Sequence, residues 1–68
     1  MLKIKDNVDL KELEKYGFIK NEYFYDSFEY SKWGVRINCQ SRQISLLANA
    51  SIELLYDLIK DGLVEKVD

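Results

Sequence analysis

The sequence contains no histidine and no proline, and it has one cysteine, Cys39. Each gap removes a class of chemistry. Four nitrogen and sulfur ligands for a zinc site cannot be assembled from Cys and His side chains. No disulfide can form within the chain. Without imidazole, acid–base or nucleophilic work would fall to Cys39, a carboxylate pair or a lysine. The three glycines stand apart, at positions 17, 34 and 62, so no glycine-rich phosphate loop is written. No apolar run approaches the ~18 residues of a membrane span. The N-terminal MLKIKDNVD lacks the apolar core of a signal peptide. These gaps lead us to expect a cytoplasmic protein with no metal, cofactor, membrane segment or enzymatic activity.

What is present points to a small packed domain. The chain has 68 residues, 47% of them hydrophobic, which fits a single domain over residues 1–68. A domain of this size buries only roughly 60% of its unfolded surface. The 13% of aromatic residues help, because rings bury the most area per residue. The net charge is −2 and unevenly spread. Residues 1–30 hold five Lys against seven Asp and Glu. Residues 31–50 hold Lys32, Arg36 and Arg42 with no acid, and residues 51–68 hold five acids and two Lys. The negative sign argues against a general affinity for nucleic acid, and the acidic excess falls short of the charge density of duplex DNA.

LKIK at 2–5 alternates apolar and charged residues and predicts a short strand with Leu2 and Ile4 inward, then a turn at Asp6-Asn7. VDLKELEKYGF at 8–18 predicts a helix of about two turns. Asp9 is its N-cap, Glu12 completes a capping box, and Val8 and Leu13 form a hydrophobic staple. Leu10, Leu13 and Tyr16 or Gly17 mark one face, Gly17 takes the C′ position and Phe18 folds back at C″. Residues 18–48 are strand-like. Val35, Ile37 and Cys39 alternate with Arg36, Asn38 and Gln40, and Ile44 and Leu46 with Gln43, Ser45 and Leu47. Strands at 34–39 and 43–47 therefore pair antiparallel across QSRQ, with Cys39 a buried, inert thiol. The segment before Gly34 has two readings. One has strands at 19–25 and 28–33 with a turn at Asp26-Ser27; the other has a single strand at 22–31 that turns at Lys32–Gly34.

ANASIELLYDLIKDGLVEKV at 48–67 predicts a helix over 51–61, capped by Asn49 or Ser51 and stopped by Gly62, then a last strand at 63–67. Ile52, Leu54, Leu55, Leu58 and Ile59 form its apolar stripe, opposite Glu53, Asp57, Lys60 and Asp61. The class that results is α+β, in the order of about β-α-β-β-β-α-β. It is a small antiparallel or mixed sheet with two helices packed on one face.

EYFYDSFEYSKWG at 22–34 holds six aromatic residues among thirteen. Alternation along a strand forbids all six from facing one way, so some rings are left on the sheet side that the helices do not cover. Rings exposed in this way are enriched at interface hot spots. We therefore expect a protein-binding surface made from Tyr23, Tyr25, Tyr30, Trp33, Arg36 and Arg42, or self-association through the open face or an edge strand. The alternative is a single-strand nucleic-acid binder that stacks bases on Tyr30 and Trp33 beside Arg36 and Arg42. Glu22, Asp26 and Glu29, close to those rings, would repel phosphate. Spaced by four and three in a strand, these acids split between faces instead of converging on a metal.

LYDLIKDGLVEKV resembles the recognition helix and following strand of a winged-helix domain, but Glu53, Asp57 and Asp61 would turn an acidic face to DNA. Together, MLKIKDNVDLKELEKYGF and LYDLIKDGLVEKV resemble the ends of small proteins encoded by phages and prophages of Firmicutes. The central QSRQI is similar to a polar-Thr-Arg-x-Ile hairpin of that group, with Ser41 where Thr is frequent. The resemblance covers about half of the chain and carries no catalytic residues. It implies a mobile-element accessory protein in the cytoplasm of a phage-infected or lysogenic bacterium, one that binds and blocks a host or defence protein.

Overall fold

The computed structural model describes residues 1–25 and 27–67, except for the side chains of Tyr23 and Phe24. Among these residues the chain runs β1 (Leu2–Ile4), a 3-10 helix (Leu10–Tyr16), β2 (Ile19–Phe24), β3 (Ser27–Lys32), β4 (Val35–Asn38), β5 (Ile44–Leu46), α1 (Ile52–Lys60) and β6 (Val64–Lys66). The class is the expected α+β. Of the two readings of the segment before Gly34, the pair of strands holds and the single long strand does not, which brings the strands among the described residues to six. Ser27 pairs with Phe24 and so belongs to β3; Asp26, the other residue of the expected turn, lies outside the described residues.

The first helix keeps its expected ends and changes its type. Asp9 caps it, with Oδ1 accepting from the Lys11 N–H at 2.9 Å. Glu12 pairs with Lys15 at 3.0 Å instead of reaching back to complete the capping box. Leu10, Leu13 and Tyr16 repeat every three residues. In a 3-10 helix, residues three apart eclipse one another, so this spacing gives one straight apolar edge. At its end the Gly17 N–H donates to the Glu14 carbonyl at 3.1 Å and the Phe18 N–H to the Leu13 carbonyl at 3.3 Å. α1 closes in the same way, Gly62 N–H to Ile59 at 3.0 Å and Leu63 N–H to Leu58 at 3.1 Å. Ser51 is its N-cap, with Oγ accepting from the Leu54 N–H at 3.2 Å.

The strands form two sheets. β2, β3, β4 and β5 lie side by side in chain order, all antiparallel. β1 and β6 form a separate antiparallel ribbon, with Lys3 opposite Glu65. A single bridge, Lys3 to Gln43, and the bond from the Ile4 N–H to the Arg42 carbonyl at 2.9 Å fasten the ribbon beside β5. Register sets the two faces of the larger sheet. Tyr30, Ile37 and Ile44 lie abreast on one side, as do Lys32, Val35 and Leu46. Glu29 and Asn38, and Ser31, Arg36 and Ser45, lie abreast on the other. Both helices cover the first side. Leu13 and Phe18 from the 3-10 end, and Leu54, Leu55 and Leu58 from α1, join Ile4, Tyr30, Val35, Ile37 and Ile44 in one core.

Two details depart from the expected core. Ile52 and Ile59, read as part of the buried stripe of α1, face solvent. The core lies on the side of α1 that bears positions 54, 55 and 58, and an arc that reached positions 52 and 59 as well would be too wide for one contact. Cys39 is half-buried, since β4 ends one residue before it.

Candidate functional site

The six residues expected at the surface divide between structural and exposed positions. Tyr30 is a core residue, only 2% exposed, because alternation in β3 sends it to the helix-covered side. Its hydroxyl donates to Glu14 Oε2 at 2.9 Å. Burial first, and the Glu14 bond second, push its pKa up to about 12. Arg42 is also committed internally: Nη1 donates to the carbonyls of Lys5 at 2.8 Å and Val8 at 2.7 Å. Arg36 lies on the uncovered sheet side, with Nε and Nη2 forked onto the Glu29 carboxylate at 3.1 and 2.9 Å. The side chain of Tyr23 lies outside those described.

Trp33 and Tyr25 remain, and both are at hairpin connections. Trp33 and Gly34 form the two-residue turn between β3 and β4, with φ of 47° and 79°. Two positive φ values match the twist of antiparallel strands, and Asn-Gly or Asp-Gly is the usual sequence there. A bulky L-residue in that region is rare and strained. Trp33 is nevertheless 68% exposed, with the Lys32 ammonium over its ring, 4.3 Å from the centroid. Tyr25 follows β2 with φ of 48° and is 80% exposed. β3 separates the two rings by about 25 Å at the usual rise per residue. The expected single binding face is therefore divided between opposite ends of the sheet.

Among the described residues the uncovered sheet side is mostly polar, with Ile19 beside Ser31 as its exposed apolar member. Besides the Arg36–Glu29 pair, Asn21 donates to Ser31 Oγ at 3.1 Å. A shallow cleft of about 220 Å³ is lined by Glu29, Arg36, Asn38 and Ser45. It is smaller than the usual ligand pocket, and the carboxylate of Glu29 already neutralises its cation. Tyr30, Trp33, Arg36 and Arg42, the set proposed for stacking nucleic-acid bases, do not share a surface. They occupy the core, a turn, the uncovered side and the loop anchor.

Sequence reasoning passed over an apolar end of the molecule. Ile19 is opposite Ser31, two residues before Trp33, and Leu46 is opposite Val35, two residues after it. The Leu47 N–H bonds to the Gly34 carbonyl at 2.9 Å, and the Ser51 N–H to the Trp33 carbonyl at 2.9 Å. Ile19, Trp33, Leu46 and Leu47 therefore lie at one end, all exposed. From there the outward side of α1 carries Ile52, Tyr56 and Ile59, at 66%, 61% and 44% exposure. The signal was in the helix composition, since six of its nine residues are apolar and one contact face buries only about half of a short helix.

Burial pushes the Cys39 thiol up, opposed by the nearby Lys20 ammonium, and so favours the unreactive protonated form. Among the described residues no cluster of Cys, Asp and Glu has the arrangement of a metal site. No described helix is long and apolar enough to cross a membrane. No family model, curated protein or solved structure matches the chain.

Proposed function

We propose that this chain is a non-enzymatic interaction module that binds another protein through the sheet end carrying Trp33. The observation behind this reading is the turn itself. Asn in place of Trp33 would suit the left-handed backbone better, and the large ring is 68% exposed with the Lys32 ammonium over it. A strained, solvent-facing tryptophan serves what lies outside the molecule better than it serves the fold. Tryptophan is also among the residues most enriched at interface hot spots, and Ile19 on the uncovered side and Leu46 on the covered side add exposed apolar side chains at the same end of the sheet. The resemblance of the chain ends to small phage and prophage proteins supports a partner among host or defence proteins of a bacterial cytoplasm. The nucleic-acid reading draws less support, because Arg36 is forked onto Glu29 and Arg42 onto backbone carbonyls.

The test is capture from a bacterial lysate with tagged wild-type protein and with Trp33→Asn. We expect the variant to lose the partner while its urea midpoint stays equal or rises, since relief of the left-handed strain offsets the lost cation–π contact. A partner retained in full by Trp33→Asn overturns the assignment.

A further inference from the structure

α1 carries more apolar surface than the core takes up. Leu54, Leu55 and Leu58 are buried, while Ile52, Tyr56 and Ile59 remain outside. At 3.6 residues per turn the outer three fall within about 60° of arc and form a stripe about 10 Å long. Glu53 in the first turn and Lys60 in the last stand along one flank of it, separated by only about 20° in the same projection.

We propose that this stripe is an interface between two copies of the chain, with α1 packed antiparallel on α1 about a twofold axis near Tyr56. The choice of a second copy rests on charge. Read from its N-terminal end, the flank is acid then base. Reversed, it is its own complement. The twofold rotation keeps this flank on the same side of both helices and sets Glu53 beside the partner's Lys60, twice. It also lays Ile52 beside the partner's Ile59 and brings the two Tyr56 rings together. A parallel arrangement would set like charges against each other and align the helix dipoles unfavourably. Asp57 lies about 140° from Ile52 around the helix, on the solvent side of the contact. An isologous contact of this kind is the commonest way for a small domain to cover a surplus apolar face. A stable interface takes about 800 Å² per partner. Three residues on one helix fall short of that, so the association is of roughly micromolar strength.

Sedimentation of the untagged protein at low salt, from about 1 µM to 1 mM, reads this directly. A monomer–dimer equilibrium is expected, and Tyr56→Asp is expected to be monomeric throughout with an unchanged circular dichroism spectrum. Glu53→Lys or Lys60→Glu, taken singly, weakens association about tenfold. An equimolar mixture of the two restores it, because each copy then offers the other the opposite sign at both positions. Both substitutions also oppose the α1 dipole, and the mixture controls for that, since it contains the same two chains. Monomer at every concentration, indifference to Tyr56→Asp, or a mixture no tighter than its separate components overturns the proposal.

Discussion

Arg42 joins parts of the chain that no strand pairing reaches. Its guanidinium holds the loop between β1 and the 3-10 helix through the carbonyls of Lys5 and Val8. Its own carbonyl accepts from Ile4, a fully buried residue. Arg42→Ala leaves two carbonyls without a charged donor. We expect a loss of about 2 kcal/mol, seen as a lower urea midpoint with an unchanged slope. The sequence displayed Arg42 only as a cation in a stretch free of acids, and a binding role followed from that. Its partners lie 37 and 34 residues away, a distance no periodicity crosses. Tyr30 was half legible. Its alternation with Glu29 and Ser31 is plain in the sequence, but which side of β3 the helices cover is decided by packing.

Turns and caps make the same point for elements. Asp9, Gly17, Ser51 and Gly62 marked both helices correctly because caps are local chemistry. The 3-10 geometry of the first helix was also present, in the three-residue spacing of Leu10, Leu13 and Tyr16. The β2–β3 connection was ambiguous for a physical reason. Tyr25 and Trp33 take left-handed backbone without belonging to the residue types that favour it, so the turn signals of Asp26-Ser27 and Gly34 competed without deciding between the two readings. Gly34 and Gly62 offer a matched test, with φ of 79° and 80°. A Cβ on Gly34 would lie 2.8 Å from Ala50 Cα, against backbone that cannot rotate away, while one on Gly62 would meet nothing within 4 Å. Gly62→Ala should therefore cost only the left-handed penalty, about 1 kcal/mol. Gly34→Ala adds the displacement of the segment leading into α1, for about 3 kcal/mol in all. Thermal melts of the two variants check the order; equal losses would mean that the Gly34–Ala50 contact does not constrain the turn.

Across the whole molecule, two tyrosine hydroxyls tie the helices to the rest. Tyr16 donates to Asp61 at 2.5 Å, joining the 3-10 helix to the end of α1, and Tyr30 donates to Glu14, joining the sheet to the 3-10 helix. The Asp61 bond, with burial second, pushes the Tyr16 pKa up to about 12, as burial and Glu14 do for Tyr30. In the unfolded chain both ionise near 10. Their contribution to stability is therefore complete below pH ~10 and is lost as pH rises toward about 12. Urea midpoints measured from neutral to alkaline pH should be level and then fall. Tyr16→Phe or Tyr30→Phe should make that fall shallower; an unchanged fall in both would remove the assignment. The overall class was legible, because strands with one apolar side demand a helical cover. The separation of β1 and β6 into a ribbon of their own was not, because three-residue strands carry little pattern and their pairing spans nearly the whole chain.

That ribbon sets an order of events when the protein is made. The hairpins of the larger sheet join near neighbours and close within microseconds. β1 leaves the ribosome before β6, so Ile4 must wait for Val64, its partner across the ribbon. At ordinary rates of synthesis that wait lasts on the order of 3–12 s. During it, a side chain that ends fully buried stays uncovered between the charges of Lys3 and Lys5.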